Sequence, residues 1–266
     1  MEHISKAQVK FIRSLQQKKV RDEHGLFVAE GEKCVEELRR GFELVTLVRE
    51  GVNATRTEIE QMSSLRTPQG VIGVFRKREA TSSEANQHTV SNSEAHQHSE
   101  AALTLVLDGI QDPGNLGTII RTCDWFGVHT IICSPDTADC YNPKVVQATM
   151  GALARVQVHY VNLPEWLEEV RSTKDDVRIY GTLLDGKNMY NVLRDDVQDT
   201  KDRRSLIIMG NEGNGISKEV RKFITHPIYI PAYSDLGKTK ETSDVVESLN
   251  VSIATAIVLA EFRRPR

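Results

Sequence analysis

The C-terminal two thirds of the chain alternate between short apolar runs and amphipathic stretches. Helices are predicted at 116–126, 142–150, 164–172, 216–224 and from about 245 to 263. The apolar runs that predict strands are LTLVL, HTIIC, RVQVHYV, RIYGTLL, SLIIM and PIYI. Strands that alternate with helices form a mostly parallel sheet with helices on both faces. The sequence therefore predicts an α/β fold.

The first 78 residues predict a smaller α/β unit. Its elements are a basic helix, the strand GLFVAEG, a helix through Val35 and Leu38, and strands at 44–48 and in GVIGVF. Residues 79–102 contain no aromatic residue and one large aliphatic, Val90, so they bury too little apolar surface to order themselves. We therefore expect three parts: a domain over 1–78, a flexible linker over 79–102, and a larger domain over 103–266.

Composition narrows the class of protein. The 266 residues are 39% hydrophobic, enough for a substantial core, and no apolar run approaches the ~18 to 20 residues of a membrane span. The N-terminus, MEHISKAQVKFIRSL, is charged from the start, unlike a secretion signal. The four cysteines are not spaced as zinc ligands, which indicates buried thiols in a cytoplasmic protein. The three histidines of the linker reflect its polar composition rather than a metal site. These residues are Cys34, Cys123, Cys133, Cys140, His88, His96 and His98.

The net charge of −3 conceals a basic N-terminus. Residues 1–21 contain one acid, Glu2, and six cations: Lys6, Lys10, Arg13, Lys18, Lys19 and Arg21. On a helix the first three cations share one face, while Val9, Ile12 and Leu15 turn inward. Such a stripe suits a phosphate backbone, and an ordinary solvated helix face explains the charge pattern equally well.

Three predicted connections from strand to helix carry glycine and asparagine: DPGNLGTIIR, GNEGNG and PAYSDLGKTKETSDVVESLN. The first lacks both the nucleotide-phosphate and the dinucleotide glycine pattern, which disfavours a nucleotide or nicotinamide enzyme. Each has a structural explanation, for example Asn115 as a helix cap or Arg121 paired with Asp124. Because the carboxyl ends of parallel strands converge at one edge of a sheet, a functional site is the favoured interpretation.

The same residues resemble a known family. NLGTIIR at 115–121, IMGNEGNGI at 208–216 and SLNVS at 248–252 are similar to the three motifs of the SpoU (TrmH-type) RNA ribose 2′-O-methyltransferases. NPKVVQATMGAL at 142–153 is similar to a further family segment, and RDEHGLFVAEGEKCVEEL with TPQGVIGVF resembles the substrate-binding domain of many members. The resemblance implies that the basic N-terminal residues contact RNA, and the extra domain favours ribosomal over transfer RNA.

The resemblance also implies a C-terminal trefoil knot, a homodimer and S-adenosylmethionine as cofactor. It assigns cofactor binding to main-chain groups at Gly210, Ile230 and Leu249. It places in the reaction centre Asn115, Arg121, Glu212, Ser248 and Asn250. We interpret Arg121 as the group that holds the ribose or a phosphate, because a guanidinium is a poor base. Glu212 is interpreted as organising the turns by accepting backbone N–H bonds.

One segment departs from the family pattern. AYSDLGKTKETSDVVE separates Pro231 from Ser248, where the family has only a few residues, and it contains Lys238, Lys240, Glu241 and Asp244. The insertion is interpreted either as a lid that orders on binding or as a sign of altered activity. The alternative function is therefore a non-catalytic RNA-binding relative that keeps the fold and the dimer without binding the cofactor.

Overall fold

The computed structural model describes residues 2–78, 103–173, 176–195, 204–233 and 248–264. The predicted linker and most of the predicted insertion, residues 234–247, lie outside the described residues. The chain forms two compact units. The first contains residues 1–80, 112–124 and 138–157, and the second contains 81–111, 125–137 and 158–266. Two segments after the linker thus belong with the N-terminal residues, and the predicted domain boundaries remain a prediction.

The N-terminal part of the first unit is a small α/β arrangement. Its elements are α1 (Lys6–Ser14), α2 (Lys18–His24), β1 (Leu26–Glu30), α3 (Glu32–Leu38), β2 (Leu44–Arg49), α4 (Arg56–Met62) and β3 (Val71–Arg76). The strands form an antiparallel sheet in the order β1-β3-β2. The basic helix is confirmed, although it ends at Ser14 and a second short helix follows. Val9, Ile12 and Leu15 are buried, as the pattern predicted, in one cluster with Ile59 and Met62 of α4.

Two helices from later in the chain complete the first unit: α5 (Pro113–Trp125) and α6 (Pro143–Thr149), followed by a 3-10 turn at Ala152–Ala154. They pack closely at Gly117. A Cβ atom on Gly117 would lie 2.4 Å from Ala148 Cβ and 2.8 Å from the carbonyl oxygen of Val145. A side chain at this position would therefore force the two helices apart.

The second unit is built on a six-stranded sheet in the order β6-β5-β4-β8-β7-β9. The strands are β4 (Leu103–Asp108), β5 (Thr130–Cys133), β6 (Gln157–Tyr160), β7 (Arg178–Asn188), β8 (Ser205–Gly210) and β9 (His226–Tyr229). β4 pairs in parallel with β5 and β8, and β7 pairs in parallel with β8 and β9. The predicted strands are confirmed. The chain order reverses between β4 and β8, and ligands bind in the crevice at such a switch point.

Among the described residues of this unit, four helices accompany the sheet: α7 (Leu163–Ser172), α8 (Met189–Asp195), α9 (Lys218–Arg221) and α10 (Val251–Phe262). Leu163, Trp166 and Leu167 of α7 are buried against strands β4, β5, β7 and β8. The helix predicted over 216–224 is only four residues long, because Ile216 and Ser217 belong to the connection from β8. Helix α8 was not predicted.

The four cysteines are buried, as the sequence predicted. Cys34, Cys123, Cys133 and Cys140 are buried free thiols, and burial raises the pKa of Cys34 to about 11. Within the described ranges, no helix is both long and apolar enough to cross a membrane. The threading of a trefoil knot remains a prediction.

Candidate active site

The connection that follows β8, residues 211–215, is organised by one side chain; we call it the β8 turn. Asn211 Nδ2 donates a hydrogen bond to the carbonyl oxygen of Gly109 at 2.8 Å. Asn211 Oδ1 accepts the main-chain N–H groups of Gly213 at 2.9 Å and Asn214 at 3.1 Å. The main chains of Asn211 and Gly215 exchange two further hydrogen bonds, at 3.0 and 2.8 Å. Asn211 therefore both shapes the turn and joins it to the end of β4.

Glu212 lies within the same turn. The side chain of Glu212 is exposed on the β8 turn. Two main-chain donors inside the turn, those of Gly213 and Asn214, bond to Asn211. The organising role interpreted for Glu212 stays a prediction. The presence of Glu212 in the reaction centre remains a prediction.

A buried carboxylate supports the β8 turn from the neighbouring strand. Asp108, the last residue of β4, is 9% exposed, and its Oδ2 accepts the N–H of Ser217 at 2.7 Å. Sequence reasoning missed Asp108. The available signal was an acid at the end of an otherwise apolar strand, directly before the glycine that opens the first connection.

Gly210 has a steric role at the end of β8. A Cβ atom on Gly210 would lie 2.3 Å from the carbonyl carbon of Gly215 and 2.4 Å from the nitrogen of Ile216. These are main-chain atoms that cannot rotate away, so only glycine lets the β8 turn fold back over the end of the strand.

The predicted cofactor residues lie in the second unit. Gly210 ends β8 and Ile230 directly follows β9, and both strands pair in parallel with β7, so both residues lie at the carboxyl edge of the sheet. Leu249 is 44% exposed just before α10, which packs against β8. Main-chain groups and apolar side chains at a sheet edge suit the flat adenine ring of S-adenosylmethionine. These residues therefore fit the cofactor, and their contact with it remains a prediction.

Asn250 has a clear structural role at the start of α10. Its Oδ1 accepts the N–H of Ser252 at 3.0 Å and of Ile253 at 3.4 Å, and it also accepts the hydroxyl of Ser252 at 2.6 Å. These bonds identify it as the N-cap of the helix. Ser248, two residues earlier, is exposed. Reaction-centre roles for Asn250 and Ser248 remain predictions.

The structural explanations considered for the first motif are both wrong. The N-terminus of α5 is held by Asp112, whose Oδ1 accepts the N–H of Asn115 at 2.8 Å and whose carbonyl oxygen accepts that of Leu116 at 3.1 Å. Asn115 is thus not the helix cap. Asp124 does not pair with Arg121, because Arg155 holds both of its oxygens at 2.8 Å.

Arg121 is exposed on α5. No carboxylate among the described residues lies within 4.0 Å of its guanidinium. The two units divide the predicted centre: Asn115 and Arg121 belong to the first, and Gly210, Glu212, Ile230 and residues 248–250 belong to the second. Their convergence at one reaction centre remains a prediction.

The basic stripe on α1 has the expected orientation. Lys6, Lys10 and Arg13 are exposed, while the apolar residues between them face the core. Lys19 of α2 is also exposed, and Lys18 pairs with Asp22 at 2.6 Å on the helix surface.

Arg21 is the exception, and its assignment to the RNA surface is wrong. Only 1% of Arg21 is exposed. Its Nη1 donates to the carbonyl oxygens of Leu15 at 3.0 Å and Gln16 at 2.7 Å, and its Nη2 donates to Asp139 at 2.7 Å. A buried guanidinium bound in this way closes the end of α1 and is inaccessible to RNA.

Comparison with known proteins identifies the family. Residues 102–260 match the SpoU rRNA Methylase family. The chain belongs to this family. Residues 6–58 match the MRM3-like substrate binding domain. The SpoU resemblance inferred from the three motifs is thereby confirmed.

Relatives of this SpoU-family chain extend over most of its length. The 23S rRNA (guanosine(2553)-2′-O)-methyltransferase RlmP of Bacillus subtilis is 29% identical over 269 residues, covering 99% of this chain and 98% of the relative. The 23S rRNA (guanosine-2′-O-)-methyltransferase RlmB of Neisseria meningitidis is 33% identical over 170 residues, covering 63% and 60%.

Solved structures confirm the α/β fold class. A TrmH-family protein from Porphyromonas gingivalis is 35% identical, covers 98% of each chain and superposes with a TM-score of 0.76. An rRNA methyltransferase from Sinorhizobium meliloti with bound AdoMet is 29% identical, covers 99% of this chain and 97% of its own, and has a TM-score of 0.77.

Proposed function

We propose that this SpoU-family protein transfers a methyl group from S-adenosylmethionine to a ribose 2′-hydroxyl of ribosomal RNA. The relatives from Bacillus subtilis and Neisseria meningitidis carry that activity in their names, and the Sinorhizobium meliloti structure contains the cofactor. The observation on this chain that carries the proposal is Arg121. It is an exposed cation in the first family motif, and its expected local partner Asp124 is held by Arg155.

The chemistry requires positioning and stabilisation of negative charge. The bound cofactor supplies a methyl group activated by its positively charged sulfur. The acceptor hydroxyl is a poor nucleophile until it loses its proton, so oxyanion stabilisation at that oxygen lowers the barrier. Arg121 holds the ribose oxygen or an adjacent phosphate and stabilises the developing alkoxide. Because its guanidinium stays protonated, it is not the base.

The remaining motif residues complete the proposed centre. Asn115, Glu212, Ser248 and Asn250 line the ribose and the transferred methyl group. Main-chain groups at Gly210, Ile230 and Leu249 hold the cofactor. Asn211 and Asp108 support this cofactor site through the β8 turn, without contacting the substrate.

RNA is bound by the stripe on α1 together with Lys18 and Lys19 of α2. This surface lies within residues 6–58, which match a substrate-binding domain. Phosphate contacts of this kind depend on salt, and each lost contact lowers the slope of log affinity against log salt by about 0.7 to 0.9. Replacing Lys6, Lys10 and Arg13 with alanine should therefore reduce the slope, and an unchanged slope would remove the stripe from the RNA surface.

A labelling experiment tests the activity. The full chain is incubated with methyl-labelled S-adenosylmethionine and with ribosomal RNA or transfer RNA from cells that lack the gene, and 2′-O-methyl sites are mapped. Label in ribosomal RNA is expected, and label in transfer RNA alone would overturn the substrate class. No label in either RNA, with no heat on titration of millimolar cofactor, would favour the non-catalytic RNA-binding relative.

A homodimer formed through α10 is part of this proposal. One face of α10 is buried within the chain, with Val251, Thr255 and Val258 inward, whereas Ile253 on the other face is 52% exposed. An apolar helix with a second apolar face favours burial against another copy. Light scattering should give twice the 29.9 kDa mass of the chain, and 29.9 kDa at micromolar concentration would contradict the dimer. The proposed compartment is the cytoplasm.

A further inference from the structure

Two arginines tie the first 78 residues to later segments of the first unit. Arg78 donates from Nη2 to the carbonyl oxygen of Ala154 at 2.6 Å and from Nη1 to that of Val156 at 3.1 Å. Its guanidinium lies 4.4 Å from the ring centroid of Phe42, and its main-chain N–H donates to the Tyr141 hydroxyl at 3.2 Å. Residue 78, at the end of the N-terminal domain, is therefore fixed at the segment before β6.

The second tie reaches the helix that carries the first family motif. Arg155 Nη1 donates to Glu37 of α3 at 2.7 Å, while its Nε and Nη2 grip Asp124 of α5. Hydrogen bonding to Arg155 lowers the pKa of Glu37. One side chain thus joins the N-terminal domain to the helix of Asn115 and Arg121.

Close packing accompanies these polar ties. The Tyr141 ring lies 4.9 Å from the Phe27 ring, centroid to centroid, and burial raises the pKa of Tyr141. A Cβ atom on Gly41 would lie 2.4 Å from the carbonyl oxygen of Ala154, and one on Gly151 would lie 2.4 Å from Glu37 Cβ. Such contacts leave no room for the two surfaces to slide past each other.

We infer that the N-terminal domain is docked as a rigid body on segments 112–124 and 138–157, with Arg78 and Arg155 as positioning residues for the RNA substrate. This inference rests on the proposed function. RNA held by α1 is then presented to Arg121 at a distance set by the docked interface. The length of segment 79–102 has no part in setting this distance, whereas it would set the effective concentration of a domain that was merely tethered.

The test varies two things independently: the length of segment 79–102 and the presence of the Arg78 and Arg155 side chains. About fifty Gly and Ser residues are inserted after Ser91, in the wild-type chain and in the double variant Arg78→Ala/Arg155→Ala. Tripling the segment lowers the effective concentration of a tethered domain about fivefold. We expect the insertion to leave KM for RNA unchanged in the wild-type chain. In the double variant, KM should already be higher and should rise about fivefold further on insertion.

A matched control separates docking from loss of arginine. In Arg39→Ala/Arg56→Ala, the lost ion pairs, to Glu36, Glu50 and Glu60, lie inside the N-terminal domain. Its KM should stay at the wild-type value, and the insertion should remain neutral. Cofactor affinity, measured by calorimetry, should be equal in all variants. In Arg155→Lys with Arg78 intact, the KM for RNA should lie between those of the wild-type chain and the double variant, because an ammonium cannot hold the carboxylates of Glu37 and Asp124 in the same geometry.

A physical distance gives a readout independent of activity. Dyes on Val52→Cys and Lys144→Cys, both exposed positions in the first unit, report the separation by energy transfer. Unchanged transfer on insertion supports docking, even if the chain methylates no RNA and the proposed function fails. Loss of transfer, or a fivefold rise in KM on insertion into the wild-type chain, would overturn the inference. A wild-type KM in the double variant would remove both arginines as positioning residues.

Discussion

The β8 turn and the first turn of helix α5 both contain glycine and asparagine, but their polar side chains have different uses. In the β8 turn, Asn211 accepts two main-chain N–H groups and donates to a third residue, so its polar atoms build the backbone. At α5, Asp112 caps the helix in place of Asn115, and Arg155 pairs with Asp124 in place of Arg121. A structural role therefore explains the asparagine of one motif and does not explain the polar side chains of the other.

This comparison separates two kinds of defect. A change in the β8 turn should disturb the shape of the proposed cofactor site, and it should therefore act on stability and on the KM for S-adenosylmethionine. A change at Arg121 should act on the rate of methyl transfer, because its side chain supports no described element of the fold. Variants in the two regions test this division.

The largest effect is expected for Arg121→Ala. Losing one positioned electrostatic stabiliser should lower the single-turnover rate of methyl transfer by about 10² or more. Thermal stability and cofactor affinity should stay near wild type, because Asp124 remains held by Arg155. Rapid quenching with labelled cofactor measures the rate, and calorimetry measures the affinity.

Two companion variants sharpen this result. Arg121→Lys should restore little activity, since an ammonium cannot reproduce a planar, two-pronged hold on ribose and phosphate. Arg39→Ala removes an exposed arginine that pairs with Glu36 in the same helical turn, and it should leave the rate unchanged. A near wild-type rate for Arg121→Ala would remove Arg121 from the reaction centre.

Gly210→Ala should produce the next largest effect, in the other region. Its new Cβ would press on main-chain atoms of Gly215 and Ile216, and such overpacking costs about 1–3 kcal/mol of unfolding free energy. Urea denaturation measures this cost. Gly213→Ala is the matched control, because its Cβ would meet only Asn211 Oδ1 at 3.5 Å. Equal losses in the two variants would contradict the steric role of Gly210.

Asn211→Ala tests the hydrogen bonds of the same turn. Removing the side chain leaves partly buried partners such as the Gly109 carbonyl unsatisfied, at about 1–2 kcal/mol, and should raise the KM for the cofactor about tenfold. The methyl-transfer rate at saturating cofactor should change much less. Asn214→Ala is the control, since Asn214 joins the turn through its main-chain N–H. A fall in saturated rate with an unchanged KM would place Asn211 in the reaction centre instead.

Local patterns explain what the sequence could predict. The six strands of the large sheet are apolar runs bounded by turn residues, and period-3.6 spacing placed Val9, Ile12 and Leu15 inward on α1. The glycine-rich connections were correctly placed at strand ends, because the order of strand and helix fixes which end a turn occupies. The helix predicted over 216–224 was too long at both ends, because Ile216 and Ser217 precede α9 and residues 222–224 follow it.

Partners distant in sequence explain the errors. Local spacing paired Arg121 with Asp124, whereas the actual partner of Asp124 is Arg155, which lies 31 positions further on. Arg21 has the charge of a surface residue and is buried because Asp139, 118 positions away, meets its guanidinium. Such pairings are decided by tertiary packing, which no local window contains. The assignment of segments 112–124 and 138–157 to the first unit was inaccessible for the same reason.

The smallest effect is expected at the N-cap of helix α5, where a substitution tests whether Asp112 has only a structural role. Asp112→Ala removes the acceptor for the N–H of Asn115, and loss of an N-cap costs about 1 kcal/mol of unfolding free energy. Asp112→Ser should recover most of that stability, because a hydroxyl caps nearly as well. Since the remaining helix still carries Arg121, methyl transfer by the folded enzyme should fall less than tenfold. A loss as large as that of Arg121→Ala, with stability restored in Asp112→Ser and activity not, would place the Asp112 carboxylate in the reaction itself.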